Sequence, residues 1–118
     1  MSTDRRTRLA ATFVRYADES RTRAAAIPGL LQDGKVRDAL IHAHTLAGSG
    51  ATVGADDISE RARAVEVVLQ AALDQGRGLT ADEMADLSGK TADLAQAVAA
   101  FDPDAMLDGF IARMFPNG

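Results

Sequence analysis

Histidine is the side chain best suited to nucleophilic chemistry near neutral pH, and this chain has two, His42 and His44. On a helix their spacing turns the two rings about 200° apart. It is not the i,i+4 spacing of helical zinc ligands, so no metal site is expected. The chain has no cysteine, which excludes thiolate chemistry, disulfides and thiolate-bound metal. His44 is the informative residue. A helical wheel puts Val36, Ala39, Leu40, Ala43, Leu46 and Gly50 on one apolar stripe centred near Ala43, with His44 about 100° from that centre. A histidine at that border is held on one side and open on the other. His42 is expected at a surface or edge. Arg37, Ile41 and Gly48 share the outward side of His44. A glycine inside a helix costs about 1 kcal/mol relative to alanine. Gly48 lies about 140° from the core centre, so helix packing does not account for it. It clears space for a visitor to the imidazole.

A carboxylate can be placed beside that ring. Ile58, Ala62, Val65, Leu69 and Ala72 form the apolar stripe of the next helix, with Ser59, Glu66 and Gln70 on one flank. His44 lies ten residues before Gly54, and Glu66 lies twelve after it. At about 1.5 Å per residue the two stand at nearly equal height in an antiparallel pair. A carboxylate accepting from Nδ1–H fixes the tautomer and leaves Nε2 as the outward nucleophile. Other catalytic signals are missing. Gly48-Ser49-Gly50 lacks the glycine spacing and the Lys-Ser/Thr ending of a phosphate loop, and Ser49 has no motif partner for nucleophilic catalysis.

The same positions carry a family resemblance. His44, Leu46, Gly48 and Ser49, then Gly54 closing the helix and Val65-Glu66 on the next one, resemble the His-x-Leu-Lys-Gly-Ser … Gly … Leu-Glu pattern of histidine phosphotransfer domains. The likeness spans roughly residues 9–100. It implies a four-helix bundle displaying His44 as a phospho-acceptor. It also implies exchange of the phosphoryl group with the aspartate of a receiver domain, in a response regulator, a hybrid histidine kinase or both. No cofactor is expected on this chain; the receiver would supply Mg²⁺ and most catalytic groups. The implied roles are acceptor for His44, orientation of the imidazole for Glu66 and access for Gly48. Arg37, Ile41, Ala47, Ala51 and Arg63 are the expected partner contacts. The departure from the pattern is Ala47, where the family usually has lysine. Arg37 and Arg63 are the nearest substitutes for that charge. On the wheel Ala47 lies about 40° from the core centre, toward His44. A lysine there is therefore expected to leave the core and reach the ring.

These residues need helices to hold them. Nothing alternates with period two over a useful length. A first helix is expected over 3–26, with the stripe Leu9, Phe13, Tyr16, Ser20, Ala24 and Ile27, and a boundary or kink at Pro28. Leu30 and Leu31 add one turn before Asp33-Gly34. The second helix covers about 35–52 and the third about 57–74, the latter opened by a capping box of Asp57 and Glu60. Thr80 and Glu83 repeat that box before a fourth helix with Met84, Leu87, Thr91, Leu94, Val98 and Phe101 at 3-4 spacing. Asp102-Pro103 opens a tail helix. Short loops between long helices imply antiparallel neighbours. The expected fold is all-α, an up-down four-helix bundle over residues 3–101 with a short extra C-terminal helix over 103–115, in one domain of 1–118.

Composition fits this reading. The net charge is −4, yet residues 1–23 hold six arginines against three acidic side chains, while the rest of the chain is strongly acidic. The arginines lie mostly off the apolar stripe, so they are read as a solvated face, and no nucleic-acid partner is expected. No apolar run approaches the roughly 20 residues of a membrane span or resembles a signal peptide, so a cytoplasmic monomer is expected. The chain would be a phosphotransfer intermediate, relaying a phosphoryl group between a sensor kinase or receiver-domain aspartate and a response-regulator receiver, rather than an autonomous catalyst. Two rivals stand beside that reading. One is an adaptor that binds a receiver or kinase without transferring phosphate, for which Ala47 argues. The other is a structural or dimerising bundle in which His44 is incidental.

Overall fold

The computed structural model describes residues 2–116, and the described residues are helices joined by short turns and loops, with no strand. Five helices follow in order: α1 Thr3–Gln32, α2 Val36–Val53, α3 Asp56–Asp74, α4 Ala81–Ala100 and α5 Pro103–Met114. Each of the first four packs on its neighbours in sequence, and α1 closes the ring against α4. This is the up-down four-helix bundle, drawn out to 53 × 20 × 20 Å. The core is made of the expected stripes: Phe13, Ile27, Ala43, Leu46, Ile58, Val65, Leu69, Leu87, Leu94 and Val98 are all buried.

Two local expectations differ from what forms. Helix α1 does not stop at Pro28; it runs 30 residues with the proline inside. Proline removes a backbone donor and costs about 3 kcal/mol in a helix interior. Here Ala24, Ile27 and Leu31 continue the buried stripe across it, while Pro28 itself faces solvent. Burial of Ile27 and Leu31, each worth about 1.5–3 kcal/mol, offsets the lost bond. The second difference is at α3. Its N-cap is Ala55, which has no side chain to cap with, and the Asp57–Glu60 box does not form. Gly54 takes φ 80° and closes α2 in a Schellman turn, with Ala55 N–H donating to Gly50 C=O at 2.8 Å. The turn is so tight that α3 has already begun at Asp56. Asp57 therefore sits inside the first turn, where it accepts from Arg61 Nε at 3.0 Å.

The box at α4 does form. Thr80 Oγ1 accepts from Glu83 N–H at 3.1 Å, and the Glu83 carboxylate accepts from Thr80 N–H at 2.9 Å. Asp102 caps α5, with Pro103 at its first position. Helix α5 packs on α1 through buried Leu107 and an edge-on contact of Phe110 with Phe13, centroids 5.9 Å apart.

Candidate functional site

His44 projects from the middle of α2 with its side chain 78 % exposed. The sequence placed it at a border; it stands further out than that. The reason is its neighbours on the outer face: Gly48 carries no side chain, and a Cβ built there would meet nothing within 4 Å. Ile41, half exposed at 53 %, and exposed Ala51 complete the apolar surround on α2.

Glu66 comes from α3 at the same height. Its carboxylate is hydrogen-bonded to His44 Nδ1, and its side chain is only 17 % exposed. The inferred hairpin register is therefore the one that forms. It follows from the Gly54 turn, which sets the pairing of α2 with α3 one turn after another. An ionised carboxylate only accepts, so a neutral ring bonded to it through Nδ1 carries its proton there and leaves the Nε2 lone pair outside that bond.

His42 points elsewhere. It is partly buried toward α1, where Arg23 Nη1 donates to its Nδ1 at 3.2 Å. Two residues of spacing thus separate an open histidine from one that packs against an arginine. Among the described residues no three His, Cys, Asp or Glu side chains gather as a metal site.

The remaining expected contacts divide. Arg37 and Arg63 are exposed. Arg63 lies three residues before Glu66 and lines a shallow groove on α3 with Glu66, Val67 and Gln70. Arg37 lies seven residues before His44, about 10.5 Å along the axis. Among the described residues neither is held in an ion pair. Ala47 is a correction. It is 2 % exposed and belongs to the core, so it is not a rim contact. At 40° from the stripe centre it falls within the buried arc, because α3 crosses close to α2 at this level.

Two features escaped the sequence. Ser59, read as a flank residue, is 7 % exposed, and its hydroxyl donates to Ala47 C=O at 2.7 Å. Val67, beside Glu66, is 63 % exposed and adds an apolar side chain to the α3 part of the surface. An apolar residue off the buried stripe was the available signal for Val67.

An exposed imidazole with one nitrogen held by a buried-edge carboxylate, on the second helix of a four-helix bundle, defines a class of phosphotransfer scaffold. The Hpt domain model matches residues 12–102, and the chain belongs to this family. No curated protein and no solved structure matches it significantly. The family works in two-component phosphorelays, where its members interact with receiver domains of kinases and regulators. Among the described residues no helix is long and apolar enough to cross a membrane.

Proposed function

We propose that His44 accepts a phosphoryl group from a receiver-domain aspartate and passes it to another. One observation carries this reading: the His44 ring is 78 % exposed while its Nδ1 is bonded to Glu66. The Nε2 lone pair attacks phosphorus, and the acyl phosphate P–O bond breaks. The bonding pair leaves with the aspartate carboxylate. The proton stays on Nδ1, and the positive charge the ring acquires is met by the Glu66 carboxylate. Glu66 thus orients the nucleophile and stabilises the product without reacting. Mg²⁺ held by the receiver would neutralise the phosphoryl oxygens. Gly48 leaves room for the incoming domain, and Ile41, Ala51 and Val67 offer it an apolar seat. Arg37 and Arg63 border that seat and are the cations of this chain that can approach the phosphate.

The adaptor reading keeps one argument, the missing lysine at buried Ala47. A receiver-binding assay run beside a transfer assay separates the two. Transfer from a phosphorylated receiver should occur with the native chain and vanish in His44→Gln, with the fold retained. A chain that binds the receiver and never takes phosphate is an adaptor.

A further inference from the structure

A close contact between α2 and α3 is made by neither His44 nor Glu66. It lies nearer the turn, where Gly50 faces Ser59. A Cβ on Gly50 would sit 3.1 Å from the Ser59 amide nitrogen, 3.2 Å from the Ala55 carbonyl oxygen and 3.3 Å from Ser59 Cα. All three are backbone atoms, so no side-chain rotation relieves the crowding. The two helices meet here backbone to backbone. The buried Ser59 hydroxyl fastens the same level through its 2.7 Å bond to Ala47 C=O. That carbonyl belongs to the residue three positions after His44.

His44 lies six residues from Gly50 along α2, and Glu66 lies seven from Ser59 along α3, about 9 and 10.5 Å respectively. Both helices are unbroken over these spans. Leu46, Ala62 and Val65 are buried along the way, all at 0 % exposure. A close-packed interior of this kind transmits a displacement rather than absorbing it. Glu66, mostly buried, has little freedom to swing after a ring that has moved.

We propose that Gly50 and Ser59 are positioning residues for His44. Their backbone contact and hydroxyl clasp set the helix spacing at which the Glu66 carboxylate meets Nδ1. The kinetic consequence rests on His44 being the acceptor; the consequence for the tautomer of His44 does not. A methyl group at Gly50 forces α3 outward by a few tenths of an ångström. The bond from Nδ1–H to Glu66 weakens, and the other tautomer gains population. That tautomer carries its proton on Nε2 and has no lone pair there to attack phosphorus.

The test reads ring ¹⁵N chemical shifts of His44 in the full chain, with transfer from a phosphorylated receiver measured alongside. Four proteins are compared: native, Gly50→Ala, Ser59→Ala and Gly89→Ala. Gly89 is an exposed glycine of α4 whose added Cβ meets nothing within 4 Å. The native ring should be Nδ1-protonated. Gly50→Ala should move part of the population to the Nε2-protonated form and slow transfer by about tenfold, since misplacement by about 1 Å can cost a hundredfold. Ser59→Ala should shift the ring the same way by less, and Gly89→Ala should change neither readout. A folded Gly50→Ala protein with the native tautomer ratio overturns the proposal. If Gly50→Ala does not fold, Ser59→Ala decides alone, and a native ratio there overturns it too. If the native chain takes no phosphate, the acceptor reading fails, while the tautomer ratios still decide the positioning claim.

Discussion

The two turns at either end of α3 are built differently. The α3–α4 connection is secured by local chemistry. Thr80 and Glu83 cap each other's backbone, and Arg77 Nη1 donates to the Glu83 carboxylate at 2.6 Å. The α2–α3 turn has no side-chain cap at all. It rests on Gly54 in the left-handed region and on the close approach of Gly50 to Ser59. The α2–α3 turn, which sets the register of His44 against Glu66, is thus held by helix-to-helix contact, and the α3–α4 turn by capping. A site made of residues from two helices needs the helices fixed relative to each other, which a cap cannot do.

The largest expected effect follows from that difference. Glu66→Ala removes the group that ties His44 to α3. It should slow phosphotransfer by about 10- to 100-fold, in line with the loss of partners that orient a histidine, and leave the thermal midpoint nearly unchanged. A rate equal to the native one would mean that α3 plays no part in positioning the ring. Next comes Ala47→Lys. The wheel has this lysine reaching solvent, but the residue is enclosed between α2 and α3. The substitution should cost about 1–3 kcal/mol by overpacking, read as a lowered denaturation midpoint. A full-stability Ala47→Lys protein would show that the side chain escapes along α2, as the wheel has it.

The turns can be compared directly. Thr80→Ala should cost about 1 kcal/mol, the worth of an N-cap hydroxyl. Asp57→Ala should cost about half that or less, because Asp57 caps nothing and its bond to Arg61 is an exposed i,i+4 pair. Chemical denaturation of the two variants measures the contrast, and equal losses would mean that Asp57 does cap α3. The smallest effect is one of pH. The Arg77 guanidinium, helped by the Thr80 N–H, lowers the Glu83 pKa from 4.5 to about 2. A carboxylate whose pKa is depressed on folding stabilises the fold above its unfolded value and loses that contribution as pH falls through the folded one. The α3–α4 junction should therefore weaken between about pH 4.5 and about pH 2, and Glu83→Gln should remove that dependence. Amide exchange across residues 75–83 reports it.

The sequence made the helices legible because their stripes repeat at helical spacing and bury as they repeat. It made the His44–Glu66 pair legible because a short turn and a constant rise fix which residues stand level. What it hid depends on quantities outside a single helix. Pro28 stays inside α1 because burial on both sides of it outweighs its local cost. Asp57 with Glu60 and Thr80 with Glu83 are both spaced like capping boxes, yet only the second forms, because Gly54 tightens the first turn by a residue. Ala47 and Ser59 are buried by the interhelical distance, which a helical wheel does not contain.

The central claim is that Nε2 of His44, left open when Glu66 holds Nδ1, is the atom that takes phosphate. The direct measurement is ³¹P–¹⁵N coupling in the ¹⁵N-labelled chain after incubation with a phosphorylated receiver. A phosphoryl signal coupled to Nε2 of His44, acid-labile, base-stable and absent from His44→Gln, is the predicted result. Phosphate on Nδ1, on His42 or any other residue, or none from any competent donor, would contradict it.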